Sequence, residues 1–232
     1  MFEADNRVNI YLAHVLYDAG RANDAANIMR QLVDAKYTLQ PEDRILVINI
    51  WLSIINPHRS AILNIKDIPK PCDNIQTAVT QIVDILNQRL DEIINIIKTQ
   101  ILPQINDEEG KAVYYKYLAD FERYKLSCID SSQVPQLASD SRAHYVKTID
   151  ILKNQQNKNI ELLMSTYLNF SILLGDHLNL KDKALETLTQ QHHELSVTIE
   201  KYPMEIRQNL QDLIDLMAEN IQRWKPQQES DL

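Results

Sequence analysis

Apolar residues recur every three or four positions along almost the whole chain, and this period predicts amphipathic helices that each bury one stripe. Nine segments carry it. The first covers about residues 5–19 and stops at Gly20, a residue suited to the left-handed position after a helix end. The second starts near Asn23 or Asp24 and buries Ile28, Leu32 and Val33. Pro41, followed by Glu42 and Asp43 in the first turn, opens the third, whose stripe is Ile45, Ile48, Trp51, Leu52 and Ile55. Pro57 lacks an N–H and crowds the preceding turn, so a kink is expected there; the spacing then resumes at Ile62 and Ile65 until Pro69 and Pro71 stop the helix. The fourth helix is expected over about 73–101, the fifth over 107–128 behind the acids Asp107, Glu108 and Glu109, and the sixth over 137–153 after a loop at 130–136. A polar break at 154–157 precedes the seventh, at about 159–174; the eighth spans 181–202, and Pro203 separates it from the ninth, 204–224. No strand pattern survives. The predicted fold class is all-α, about nine antiparallel helices arranged as a bundle or as a solenoid of helix pairs.

Composition sharpens this picture. Gly contributes 3 residues and Pro 8, so few breakers exist and long helices with short connections are expected. Lys and Arg number 24 against 32 Asp and Glu, a formal charge of −8, and no basic run occurs. A nucleic-acid partner is therefore not expected, since phosphate neutralisation needs clustered cations. Cys72 and Cys128 are far apart and in no CxxC spacing, which suggests neither a disulfide framework nor a zinc site and fits a reducing compartment. The N-terminus is acidic and amphipathic, unlike a secretory signal, and the apolar region at 82–102 is interrupted by Asp84, Arg89, Asp91, Glu92 and Lys98. A soluble, cytoplasmic protein, with nuclear residence also compatible and no membrane partner, is the expectation.

Signatures of catalysis are missing. His192, His193 and Glu194 lack the second histidine four residues on that a metalloprotease helix requires, so they read as a solvated face. Three glycines cannot supply a phosphate-cradling loop, and Gly110 and Gly175 read as helix-end or tolerated positions. No histidine sits informatively for Cys128 as a nucleophile. The expectation is a non-enzyme without cofactor or metal.

What remains is polar residues at spacings of four and seven, which share a helix side. Lys116 and Arg123 are seven apart on the fifth helix with Tyr124 adjacent, Leu52 and Arg59 seven apart on the third, and Asn169 and Asp176 seven apart on the seventh beside Leu168 and Ile172. On the ninth, Asn220 lies four from Leu216 and from Trp224 and seven from Leu213. A groove lined by these helices suits an extended phosphorylated peptide: Arg forks grip the phosphate, Asn amides bond the peptide backbone and apolar residues take its side chains.

At these residues the chain resembles the 14-3-3 family, from about residue 10 to Trp224. Val113-Tyr-Tyr-Lys116-Tyr-Leu-Ala-Asp120-Phe-Glu-Arg123-Tyr124 is similar to the family helix that ends in a phosphate-binding Arg-Tyr. Tyr167-Leu168-Asn169-Phe170-Ser171 resembles its Leu-Asn-Phe-Ser motif, Ala19-Gly-Arg21-Ala-Asn-Asp24-Ala25-Ala26 its N-terminal dimerisation segment, and Asn220-Ile-Gln-Arg-Trp224 the Asn-x-x-x-Trp that closes the final helix. The resemblance implies an amphipathic groove in a fold related to tetratricopeptide repeats, within a single domain at 1–225. Its helices at 5–35 would dimerise the chain with itself or another family member, and 226–232 would be a flexible tail. It implies phosphate contacts from Arg59, Arg123 and Tyr124, flanked by Lys116, and peptide-backbone contacts from Asn169 and Asn220. The groove wall would hold Leu52, Leu168, Ile172, Asp176, Leu213, Leu216 and Trp224, and Arg21 and Asp24 would bridge the dimer. Phosphorylated client proteins would be the partners of an adaptor used in signalling.

Departures from the family pattern set further expectations. Leu52 stands where the family has a lysine, so one charge-assisted hydrogen bond, about 1.5–3 kcal/mol, is missing and binding should be weaker. Pro57 threatens the aim of Arg59, and the chain is shorter than the family between Ser60 and Asp84, which leaves the dimer partners of Arg21 and Asp24 unassigned. Ser230, in the tail Glu229-Ser230-Asp231-Leu232, is a candidate phosphosite whose modification would allow the tail to occupy the groove as an inhibitor, although six residues beyond Trp224 span at most about 20 Å. Two other readings compete: a scaffold for unphosphorylated partners, and a tetratricopeptide-like array, which would need a sustained repeat of about 34 residues that the chain lacks.

Overall fold

The computed structural model describes residues 2–66, 73–155 and 159–225. Cys72, the Pro69 and Pro71 helix stop, half of the polar break and the tail with Ser230 lie outside them. The described residues form nine α-helices and no strand. They are α1 Phe2–Asp18, α2 Ala22–Asp34, α3 Pro41–Lys66, α4 Asp73–Ile96, α5 Glu108–Lys125, α6 Val134–Lys153, α7 Ile160–Ile172, α8 Lys181–Thr198 and α9 Met204–Trp224. Short pieces extend three of them: a π turn at Ile97–Ile101 and a 3₁₀ turn at Leu102–Gln104 after α4, a π turn at Leu173–His177 after α7, and a 3₁₀ turn at Ile199–Lys201 after α8.

Local chemistry explains most boundaries. Gly20 takes the left-handed conformation that ends α1, at φ 73°. Asp107 caps α5, its carboxylate accepting the Gly110 N–H at 2.6 Å, and Asn159 caps α7 by accepting from Leu162 N at 3.1 Å. α6 begins at Val134, earlier than the spacing predicts, because Pro135 falls in the first turn, where its missing N–H costs nothing. α3 passes through Pro57 and continues to Lys66. Pro57 is exposed, so the carbonyl deprived of its helical donor faces the solvent side. Ile45 is 49% exposed rather than buried; Leu46 and Val47 take its place in the core.

Each helix packs on the next, and α1, α3, α5, α7 and α9 also pack in succession on one another, with no comparable packing joining α4, α6 and α8. Two layers with one drawn tighter than the other make a curved solenoid, whose inner layer is the odd-numbered helices. The core has two main parts. One gathers α1 to α5 around Met29, Leu32, Ile48, Ile50, Ile55, Leu90, Tyr114 and Phe121; the other gathers α6 to α9 around Leu152, Leu163, Leu188, Leu210, Met217 and Trp224. A small cluster of Ala119, Leu126, Ala138, Tyr145 and Leu173 lies between them. α5 contributes to all three, so it is the spine that joins the halves. Although α3 has a stretch long and apolar enough by composition to cross a bilayer, Val47, Ile48, Ile50 and Ile55 are fully buried in the first core.

Gly110 and Gly175, expected at helix ends or as tolerated positions, lie in the first turn of α5 and in the π turn after α7, and both are sites of close approach. A Cβ on Gly175 would lie 2.8 Å from Trp224 Cε2, and one on Gly110 would lie 2.7 Å from Arg44 Cζ.

Candidate functional site

The inner layer encloses a cavity of about 440 Å³ lined by side chains from α3, α4, α5, α7 and the π turn that follows it, and α9. Its polar lining includes Arg59, Arg123, Tyr124, Asp176 and Arg223, and its apolar lining includes Ile62, Leu63, Leu86 and Ile172.

Core packing fixes its floor. Trp51 meets Phe121 edge-on at 6.3 Å, and Phe121 meets Tyr124 edge-on at 6.2 Å, so an aromatic chain runs from the buried face of α3 to the cavity. Tyr124 then carries both cations: the Arg59 guanidinium stacks 3.4 Å from its ring centroid and that of Arg123 lies at 4.8 Å. The α3 helix past Pro57 thus brings Arg59 to the same ring as Arg123. Arg59 also donates from Nη1 to Asn56 Oδ1 at 3.2 Å.

Behind the floor lies a buried polar network centred on Asp120, 1% exposed. Lys116 Nζ lies 2.7 Å from Asp120 Oδ2, while Oδ1 accepts from the Tyr145 hydroxyl at 2.5 Å and from Asn169 Nδ2 at 2.9 Å. Arg123 donates from Nε to Tyr145 Oη at 3.1 Å and its Nη2 is 3.8 Å from Asp120. Asp120 is therefore largely engaged by Lys116, Tyr145 and Asn169, and it holds Arg123 mainly through Tyr145. Burial alone would lower the Lys116 ammonium, but the Asp120 carboxylate outweighs it and the group is raised. Burial lowers Arg59, assisted by repulsion from Arg123, yet a guanidinium stays charged at any working pH. Burial raises both Tyr124 and Tyr145, with Asp120 adding to the effect, so both remain neutral phenols.

On the far wall, Asp176 accepts from Trp224 Nε1 at 2.8 Å and from Arg223 Nη2 at 2.6 Å. The π turn at Leu173–His177 carries one extra residue per turn, which releases Asp176 from the seven-residue register it would share with Asn169. Asn169 faces Asp120; Asp176 faces α9.

The other sequence-derived residues are placed as follows. Leu52 is half-buried against the first core, and Leu168, 6% exposed, belongs to the second. Leu213 is half-buried on α9, Leu216 is 46% exposed, and Asn220 donates to the Leu216 carbonyl at 2.8 Å. None of these five lines the cavity. Trp224 is buried behind Asp176. Arg21 and Asp24 pair with each other within the chain, Nε to Oδ2 at 2.7 Å.

Sequence reasoning missed Asp120, Tyr145 and Arg223. Asp120 could have been found, since it lies four residues after Lys116 and three before Arg123 on one helix. Tyr145 and Arg223 carry no local signal; tertiary packing alone brings them here. Among the described residues, no grouping of three or more His, Cys, Asp or Glu is arranged to hold a metal ion.

A family model for 14-3-3 proteins matches residues 12–225. The chain is 22% identical to 14-3-3 protein epsilon of Drosophila melanogaster over 97% of its own length and 88% of that protein, and 21% identical to 14-3-3 protein 3 of Entamoeba histolytica over 93% of each. It is also 21% identical to protein BMH2 of Saccharomyces cerevisiae, over 93% of this chain and 83% of the relative.

Proposed function

Because the chain belongs to the 14-3-3 family of non-catalytic adaptor proteins, we propose that its cavity binds phosphoserine or phosphothreonine segments of client proteins and thereby regulates those clients. The observation that carries this reading is the pair Arg59 and Arg123 gathered at one tyrosine ring that lines the cavity. Asp120 is engaged elsewhere, so the two guanidiniums present nearly two uncompensated positive charges to a half-enclosed space. A phosphorylated side chain carries about −1.5 to −2 charges and accepts through three oxygens, which matches that demand. Two guanidiniums offer forked donors of fixed geometry, and the Tyr145–Asp120 network pre-orients one of them, reducing the entropy lost on binding.

Ile62, Leu63, Leu86 and Ile172 supply the apolar wall, and Asn169 and Asn220, which lie outside the cavity lining, would reach the peptide backbone by turning from Asp120 and the Leu216 carbonyl. Leu52 adds no cation, so affinity falls about one to two orders of magnitude below that of a site with a further ammonium. Two copies are assigned to each other through the exposed α1 stripe described below.

The test is a titration of a fluorescent Arg-Ser-x-pSer-x-Pro peptide, its unphosphorylated twin and a phosphorylated 225–232 peptide into the wild type, Arg123→Ala and Arg59→Ala. The expected result is binding only of phosphorylated forms, weakened about thirtyfold or more in either variant. Arg59, which is half-buried and outside the Asp120 network, serves as the check against misfolding of the Arg123 variant. A preference for the 225–232 peptide would add autoinhibition through Ser230. Equal binding of the unphosphorylated twin would replace the reading with that of a scaffold for unphosphorylated partners.

A further inference from the structure

Arg223 is a cation that the phosphate reading does not use. It lines the same cavity as Arg59 and Arg123, from the opposite wall, and its side chain is 55% exposed. One of its five N–H donors is spent, on Asp176 Oδ2 at 2.6 Å; it makes no other hydrogen bond with the described residues. The other Asp176 oxygen is fixed by the indole N–H of the buried Trp224, at 2.8 Å. The carboxylate is thus held from behind and pins one edge of the guanidinium, whose Cζ also lies over the Trp224 ring, 5.4 Å from its centroid. The remaining donors stay available beside the cavity. Such a fork, immobilised on one side and open on the other, suits a carboxylate acceptor.

Resting on the phosphopeptide reading above, we propose that Arg223 forms a second anion subsite, which selects ligands bearing an acidic side chain close to the phosphorylated residue held at Arg59 and Arg123. Asp176 and Trp224 are positioning residues for it. The partner class is therefore a phosphosegment with a neighbouring Asp or Glu. The other titratable groups in the lining, besides Arg59 and Arg123, are Tyr124 and His177, together with Asp176, which is bonded to Arg223 on the same wall. Asp176 keeps the subsite from closing on any anion alone, because a lone carboxylate must also face its negative charge.

The experiment uses one amidated fluorescent phosphopeptide with alanine at each neighbouring position, and a set in which a single Glu is placed at each of those positions in turn. Affinities for the wild type, Arg223→Gln and Arg223→Lys are compared as the ratio of Glu peptide to alanine peptide. At one position the wild type is expected to gain about three- to tenfold, the range of a partly exposed ion pair reinforced by a fixed geometry, and the gain should shrink with added salt. The ratio falls to near one in Arg223→Gln and is partly kept in Arg223→Lys. A wild type that gains at no position, or a gain that survives in Arg223→Gln, overturns the subsite while leaving the phosphate site standing. Loss of phosphate-dependent binding in the wild type overturns both. Because the readout is a ratio within each variant, a general change in folding or affinity does not imitate it.

Discussion

At the scale of single residues, the molecule turns on a few atoms that must be close. Asp120 is the centre: removing its carboxylate would leave Lys116, 7% exposed, without its compensating charge. Gly175 is the clearest steric case. It lies in the π turn against the Trp224 indole, and a methyl group there would approach Cε2 to 2.8 Å, well inside van der Waals contact. Trp224 is 6% exposed and tied to Asp176, so it has nowhere to retreat without breaking that bond. Gly175→Ala should therefore destabilise the fold by about 1–3 kcal/mol, the usual cost of overpacking. Urea unfolding measures the loss, and the fluorescence of Trp224 should shift to longer wavelength as the indole is displaced. A variant as stable as the wild type, with unchanged emission, would mean that the turn absorbs the methyl group.

At the scale of elements, the junction of α3 and α5 shows how a cap and an ion pair combine. Asp107 caps α5 while receiving Arg44 of α3 in a two-pronged pair, Nη1 to Oδ1 at 2.9 Å and Nη2 to Oδ2 at 2.7 Å. The Arg44 hydrogen bond, together with the Gly110 N–H, holds the Asp107 carboxyl below its ordinary value. A carboxyl depressed in the folded state stabilises the protein above its unfolded pKa of about 4, and this contribution is lost as pH falls through the lower folded value. Asp107→Asn keeps a capping oxygen but loses the charge pair. With the Asp107 side chain 49% exposed, solvent screening limits the expected cost at neutral pH to about 0.5–1.5 kcal/mol. Urea midpoints followed from pH 7 downward should show the gap between wild type and variant intact above about pH 4 and closing below it. A gap that persists undiminished into acid would assign the effect to shape rather than charge. Gly110 belongs to the same junction, since any Cβ there would strike the Arg44 guanidinium.

At the scale of the whole molecule, charge and curvature work against each other. The chain carries a net −8, yet its inner cavity gathers Arg59, Arg123 and Arg223 with Asp176 as the one carboxylate in its lining. The phosphate recognition proposed for it would therefore be local, and added salt should screen the acidic exterior along with the site. The outer end of the solenoid leaves a stripe on α1 uncovered: Val8 is 64% exposed, Tyr11 73%, Leu12 41% and Val15 46%, at the spacing of one helix face. Under the assignment of a second copy to this face, the wild type should run at twice the 26.9 kDa chain mass in light scattering. The double variant Val8→Glu, Tyr11→Glu should run at the chain mass, with fold stability changed by no more than about 0.5 kcal/mol per exposed site. A monomeric wild type would remove the assignment.

The all-α class and most helix boundaries, to within a turn, were legible in the sequence, because period, caps, prolines and acids at helix starts act within a turn or two of themselves; the early start of α6 and the π turn that ends the fourth helical segment were not. Legible too were the two arginines and the tyrosine of the cavity, since Arg123 and Tyr124 are neighbours and Arg59 belongs to a motif of local spacing. Not legible was which residues meet across helices. Asp176 leaves its expected register because a π turn, which lies against Trp224, replaces an α turn. Ile45 and Leu46 exchange roles because the face that α3 buries is set by α2, α4 and α5 and not by its own apolar count. Tyr145 and Arg223 enter the site from elements distant in the chain, 22 residues beyond Arg123 and 47 beyond Asp176. Local periodicity fixes elements, because its forces act along the chain; the cavity and its charge balance were decided by tertiary structure, because contacts between helices depend on how whole faces fit.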